Sequence, residues 1–280
     1  MPVPLPPDVV LLVLLAALLH AGWNAMVKGG GDPVSDLALV WGGAALAAVP
    51  LLVVVPPPAP AAWPWLAGSV AVHAVYFGLL ARSYVVGDLG HVYTVMRGTP
   101  PLMVAVAATL WLDEPLSPVG WAGILLISTG ILALGFSPGA PLRATGYALA
   151  TAAATACYTL LDGLGSRASG APAGYVTWFF LLNALPPCLM ALALSRGRIL
   201  HHARRHWRRA LGGGGASLGA YGIVLWAMAQ APIAPIAALR EVSVVFAALI
   251  GTVLLKEPFG RPRIVAALLV AGGGAALRFA

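Results

Sequence analysis

Charge is what this 280-residue sequence has least of: Asp, Glu, Lys and Arg together make up 9% of it, against roughly 25% in an average soluble domain. That excludes an ordinary water-soluble protein. Acid is scarcer than base, with 9 Asp and Glu against 16 Lys and Arg, so the net +7 depends on where a few cations sit. A nucleic-acid partner needs a broad basic surface, and this chain has a single dense basic run, 195–209. Nucleic acid is therefore excluded as a partner. Cysteine is nearly absent. Cys157 and Cys188 lie in apolar stretches and match no metal or disulfide spacing, so they read as packing residues. There is no nucleotide loop, no metal-spaced His or Cys cluster and no serine elbow, which speaks against an enzyme and against any cofactor. The run Gly212 to Gly215 resembles a phosphate loop in composition only, since no lysine follows it and no strand precedes it.

Apolar residues are what fill the chain, at 60%. A bilayer core demands about 17 to 25 apolar residues of a helix. Ten runs meet that demand, near 9–27, 36–55, 65–84, 91–112, 119–136, 144–161, 175–194, 211–229, 233–255 and 264–279. Breakers or charges separate nearly all of them, among them Gly29-Gly30-Gly31-Asp32-Pro33, Pro56-Pro57-Pro58, Asp113-Glu114-Pro115 and Lys256-Glu257-Pro258. The first run lacks a basic start and continues into Trp23-Asn24 without a small-residue cleavage site, so it is expected to stay in the mature protein. Runs of this length leave no alternation for a barrel. The expected fold is all-α and integral to the membrane.

The chain repeats itself at an offset of 143, which carries Arg97 onto Arg240, Ala105 onto Ala248, Thr109 onto Thr252, Glu114-Pro115 onto Glu257-Pro258 and Gly130 onto Gly273. Ten spans in two repeats give five per repeat, and an odd number inserts the second copy upside down. The residues also carry a resemblance. His20-Ala21-Gly22-Trp23-Asn24 on the first span and Arg97-Gly98-Thr99-Pro100-Pro101 on the fourth resemble the EamA-type repeat of the drug/metabolite transporter superfamily. In the second half Tyr158-Thr159-Leu160-Leu161-Asp162, Leu239-Arg240-Glu241-Val242-Ser243 and Glu257-Pro258 do the same. The resemblance implies ten transmembrane helices in two inverted five-helix repeats, 1–137 and 138–280. It also implies a solute carrier in the plasma (inner) membrane of a bacterium, with the fourth and ninth helices lining a central cavity. Where many members carry Glu-Pro inside those two helices, this chain has Pro100-Pro101 and Ser243-Val244, so the resemblance does not carry a substrate over.

Arg97 and Arg240 each lie about seven residues into a span, roughly 10 Å deep at 1.5 Å per residue. An arginine there costs about 2.5 to 3.5 kcal/mol and faces the bundle interior or a wet cavity, with a partner. As a functional pair they would attract a small anion by bidentate hydrogen bonds. As structural groups they would instead pair with buried acids or carbonyls, Arg97 with Asp88 among them. Adjacent residues of a helix diverge by about 100°, which disfavours pairing of Arg240 with Glu241 and leaves Arg97 as a partner for that acid.

Tyr93 shares the face of Arg97, and the prolines beside it imply a kink. His20, Trp23 and Asn24 form one stripe, His73 and Tyr76 another, and Ser243, Tyr221 and Trp226 complete the candidate substrate contacts. Each of these has a bland alternative as interfacial anchor or packing group. Asp162 reads as a headgroup-level residue, and Glu114 and Glu257 as acids at the start of the following helix.

The function expected is secondary transport of a small polar metabolite, an amino-acid-like zwitterion or small organic anion, by alternating access. A proton or counter-substrate would supply the energy, with His20, His73 and Glu241 as proton candidates. The alternative is a membrane-embedded enzyme or lipid- or isoprenoid-handling protein, which would need acids or histidines clustered near one face. Either a monomer or a homodimer satisfies the sequence.

Twelve cations fall on odd-numbered connections (Lys28, Arg82, Arg143, Arg196, Arg198, Arg204, Arg205, Arg208, Arg209, Lys256, Arg261 and Arg263), against Arg167 and Arg278 on the even side. Lys and Arg of short loops stay in the cytoplasm, so both termini are expected outside. A reporter that works only in the cytoplasm, fused to the C-terminus, should be silent; activity would overturn this orientation.

Overall fold

A computed structural model describes residues 4–28, 33–137, 139–195, 197–255 and 260–279, and within them the chain folds into helices with no strand. The helices are α1 (Pro7–Lys28), α2 (Pro33–Ala48), α3 (Trp63–Val86), α4 (Leu89–Gly98), α5 (Pro100–Trp111), α6 (Pro118–Leu132) and α7 (Leu142–Ala168). They continue as α8 (Pro172–Asn183), α9 (Leu185–Leu194), α10 (Arg198–Arg205), α11 (Trp207–Gln230), α12 (Ile233–Arg240), α13 (Ser243–Leu255) and α14 (Arg261–Leu277). Proline opens many of them, because the first turn has no use for its missing N–H. Side chains cap others: Ser117 accepts from Gly120 N at 3.0 Å ahead of α6, and Asp88 accepts from Gly90 N and His91 N ahead of α4.

All ten apolar runs fall on helix, but six stretches are long and apolar enough to cross a membrane: Pro7–Val27, Ser35–Val53, Pro60–Val86, Pro172–Leu194, Trp207–Gln230 and Ile233–Val253. The other four fall short for visible reasons. The run 91–112 is interrupted at Thr99, α6 and α14 have only 15 and 17 residues, and α7, at 27 residues, is diluted by Thr, Gly and Tyr. The basic run of the sequence adds an unexpected short helix, α10. It is tied to the start of α2 where His202 Nε2 meets Asp36 Oδ1 at 2.9 Å. The Lys256-Glu257-Pro258 turn, Arg196 and Gly29 to Asp32 lie outside the described residues.

Small residues let the helices approach closely, as they do where lipid gives apolar side chains no reason to cluster. The glycine run 212–215 is helical and belongs to α11. A methyl on Gly214 would overlap the Gly43–Ala44 backbone of α2, and one on Gly43 would overlap the Ala210 carbonyl. Between α6 and α14, Gly123 meets the Gly273 backbone and Gly130 meets the Ala266 carbonyl. Further close pairings join α3 to α7, α1 to α11 and α1 to α13. Cys157 and Cys188 are both free thiols, the first exposed.

Because the atoms facing these glycines are backbone and cannot yield, Gly43→Val and Gly273→Val should each cost at least about 1–3 kcal/mol. Gly215 has open space around it, so Gly215→Ala should be neutral or stabilising. Thermal unfolding in detergent checks the contrast, which equal midpoints would contradict.

Candidate functional site at the meeting of two broken helices

Two helices stop short in the interior. α4 ends at Gly98 and α5 begins at Pro100, where the ring removes a backbone donor. α12 ends at Arg240, and the backbone passes through a turn at Glu241 and Val242 before α13 begins at Ser243. Arg97 and Arg240 thus occupy the last turns of α4 and α12, where the partial negative charge of a helix C-terminus favours a cation.

The two breaks bring five predicted residues together. Arg97 Nη2 donates to Ser243 Oγ at 3.0 Å and stands 3.0 Å from Glu241 Oε2. The same nitrogen lies 3.5 Å from His20 Nε2 on α1. On the other side Arg240 Nη2 approaches Glu241 Oε1 at 3.4 Å. Glu241 is therefore shared by two guanidinium groups, and at 2% side-chain exposure it is withdrawn from solvent. The contact between Arg240 and Glu241 corrects the expectation that neighbours on a helix diverge: the helix has ended there, and the turn lets the two side chains converge. The acid partner of Arg97 is Glu241, while Asp88 is engaged in capping α4.

The cluster keeps unused hydrogen-bonding capacity. Among the described residues the Nε atoms of Arg97 and Arg240 and the indole Nε1 of Trp23 are buried without a hydrogen-bond partner, and the Arg97 contact with Glu241 Oε2 is an ion pair without hydrogen-bond alignment. Trp23 joins the cluster through an edge-to-face contact with His20, ring centroids 5.1 Å apart. Two arginines and one glutamate sum to a single positive charge, suited to one carboxylate or phosphonate-like group.

Beside it stands an aromatic layer. His73 stacks on Tyr158 with centroids 4.0 Å apart, and Tyr76 packs against both rings. The hydroxyl of Tyr221 donates to Asp162 Oδ2 at 2.6 Å, and Tyr175 donates to Oδ1 at 3.0 Å. Asp162, expected at headgroup level, is fully enclosed by protein, and its helix continues past it to Ala168. Of the remaining candidates, Tyr93 stands one turn before Arg97 on α4 and is 39% exposed, Asn24 turns its amide to the His20 carbonyl of its own helix at 2.7 Å, and Trp226 packs against the apolar core.

Glu114 does sit at a helix N-terminus, but that of α12, accepting from Ile233 N at 2.8 Å. Arg167 pairs with its other oxygen and donates to the carbonyls of Met228 at 2.7 Å and Ala231 at 2.8 Å. The sequence reading missed this latch. Its signal in the sequence is Arg167, one of two cations on the cation-poor side. A cleft of about 550 Å³ lies around α10, lined by Ser35, Arg198, His201, His202 and Arg205 and by none of the residues of the Arg97–Arg240 cluster. The arginine cluster is the better candidate because charges this deep persist only where partners or ligands hold them.

Residues 9–136 match the model of the EamA-like transporter family. The match spans 128 of the 280 residues, all in the first half. The EamA-like family is one of membrane transporters of the drug/metabolite type, in keeping with the apolar helices described above. No curated protein matches the sequence. Among solved structures 29 chains match. One crystal structure of a protein covers 96% of this chain and 97% of its own, at 19% identity and a TM-score of 0.74. At that identity the likeness shows the fold alone.

Removing the acid leaves two buried cations facing each other. Glu241→Ala should lower stability by about 3–5 kcal/mol, whereas Ser243→Ala, which removes one neutral partner, should cost about 1 kcal/mol. Unfolding midpoints in detergent separate the two; equal losses would contradict the shared-acid arrangement.

Proposed function

We propose that the chain is a secondary transporter carrying a small polar metabolite, an amino-acid-like zwitterion or small organic anion, by alternating access. The site lies between two inverted five-helix repeats, 1–137 and 138–280. The observation that carries this reading is the contact of Arg97, from the first half, with Glu241 and Ser243 of the second. Discontinuous helices at matching positions of two halves are the feature by which inverted-repeat carriers build a site near the midplane.

The packing supports the repeat. The offset of 143 carries the break at Thr99 onto Val242, and Arg97 onto Arg240. The same offset carries Gly130 onto Gly273 and Gly123 onto Ala266, and the contacts run crosswise, Gly123 to Gly273 and Gly130 to Ala266. A two-fold axis between α6 and α14 generates that pattern. The pairing of α3 with α7 has its counterpart in α11 with α1, as does that of α4 and α5 with α7 in α12 and α13 with α1. Rocking the halves about such an axis would open the arginines to one face and then the other, with both termini outside by the charge bias of the connections.

A melting screen with amino acids and small carboxylates tests the reading. Anionic or zwitterionic ligands should raise the unfolding temperature of the parent and lose this effect in Arg97→Ala and Arg240→Ala. Stabilisation of the variants as large as that of the parent would overturn the arginine site. In liposomes, the ligand that stabilises should also cross the membrane; binding without flux would overturn the carrier.

A further inference from the structure

We propose that Asp162 is a proton-binding site inside the bundle and the group through which proton movement is coupled to solute. The coupling rests on the carrier reading above; the proton site does not. Among the described residues Glu241 and Asp162 are the two most deeply buried acids, and their surroundings differ in kind. Glu241 sits between two guanidinium groups, so a proton there would strand both cations. Asp162, with no exposed surface, is held by neutral donors: the hydroxyls of Tyr175 at 3.0 Å and Tyr221 at 2.6 Å, with Ser69 beside the same carboxylate. Among the described residues no cation hydrogen-bonds it. A carboxylate so placed must either carry its charge on neutral dipoles alone or take a proton, and acids of this kind mark proton paths in membrane proteins.

The groups on Asp162 come from three of the helices packed on α7: Ser69 on α3, Tyr175 on α8 and Tyr221 on α11. Behind Ser69 stands His73, which packs against Tyr76 on its own helix and Tyr158 on α7. Arg240 on α12 acts by its field alone, and Arg97 and Tyr93 on α4 lie beyond Tyr158 and Tyr76. α5 and the turn Pro60–Ala62 contribute no titratable side chain. When a proton adds to the carboxylate, one oxygen becomes an O–H donor and the group loses its charge. Nothing else is consumed. The new donor needs an acceptor, which the rotatable Ser69 hydroxyl supplies. His73 Nδ1 stands 3.3 Å behind that hydroxyl, and His73 stacks on Tyr158 toward the arginines. Protonation therefore rearranges hydrogen bonds shared by α3, α7, α8 and α11, helices drawn from both halves.

Infrared difference spectroscopy of the full chain in lipid nanodiscs, titrated between about pH 5 and pH 8, reads the proton directly. The expected result is a protonated-carboxyl band that titrates, shifts when aspartate carboxyl carbons are isotopically labelled, is lost in Asp162→Asn and persists in Glu241→Gln. Tyr221→Phe, which removes a donor that favours the ionised form, should move the midpoint to higher pH. This variant and the labelling keep the test valid should Asp162→Asn not fold. Absence of any titrating carboxyl band, or its survival in Asp162→Asn, would overturn the proton site and leave the carrier standing. A titrating band in a protein that moves no solute in liposomes would overturn the coupling and the carrier together, and leave the proton site.

Discussion

One carboxylate shared by two guanidinium groups, Glu241 between Arg97 and Arg240, is the constraint around which the interior is arranged. Ionised groups taken out of water are tolerated only with close partners. Here the partners come from both halves: Glu241 meets Arg240 within its own half, while Arg97 meets its acid only across the divide. Both helices that carry the arginines end next to them, and those ends favour positive charge through the helix dipole. The breaks therefore do two things: they free backbone where a polar ligand could be met, and they let Arg240 and Glu241, neighbours in sequence, turn toward each other.

The rest of the bundle holds this arrangement in place with small residues. Glycine pairs bring α2 onto α11 and α6 onto α14 at backbone distance. At the edge of the bundle, Glu114 and Arg167 tie the end of α5 to the start of α12 and the ends of α7 and α11. Between these fixed contacts lies the layer of His73, Tyr76 and Tyr158, with Asp162 and its tyrosines behind it. The interior thus holds two polar centres of different character, one anchored by permanent cations and one by hydroxyls.

Much of this was legible in the sequence. Long apolar runs and their breakers located the helices, and the repeat of Arg97 on Arg240 singled out the two residues that meet at one acid. The need of a buried acid for a counter-charge joins Glu241 to Arg97 from the sequence alone. What escaped depended on where helices end. Asp162 looked peripheral because the apolar run stops near it while the helix runs on to Ala168. Glu114 was placed at a helix start, but sequence order suggested the following helix and tertiary packing chose α12. Tyr93, Asn24 and Trp226 share faces or helices with site residues. Spacing along a helix cannot tell which face the rest of the bundle covers: Asn24 bonds to its own helix and Trp226 packs on the apolar core.

The interdependence of the two halves at Arg97 and Glu241 is tested most directly by a double-mutant cycle on unfolding in mixed micelles, using Arg97→Ala, Glu241→Ala and the pair together. A shared buried charge predicts a loss in the double variant smaller than the sum of the single losses, by at least about 1 kcal/mol. Strictly additive losses would mean that the two side chains do not depend on each other, and the account of a charged seam between the halves would be wrong.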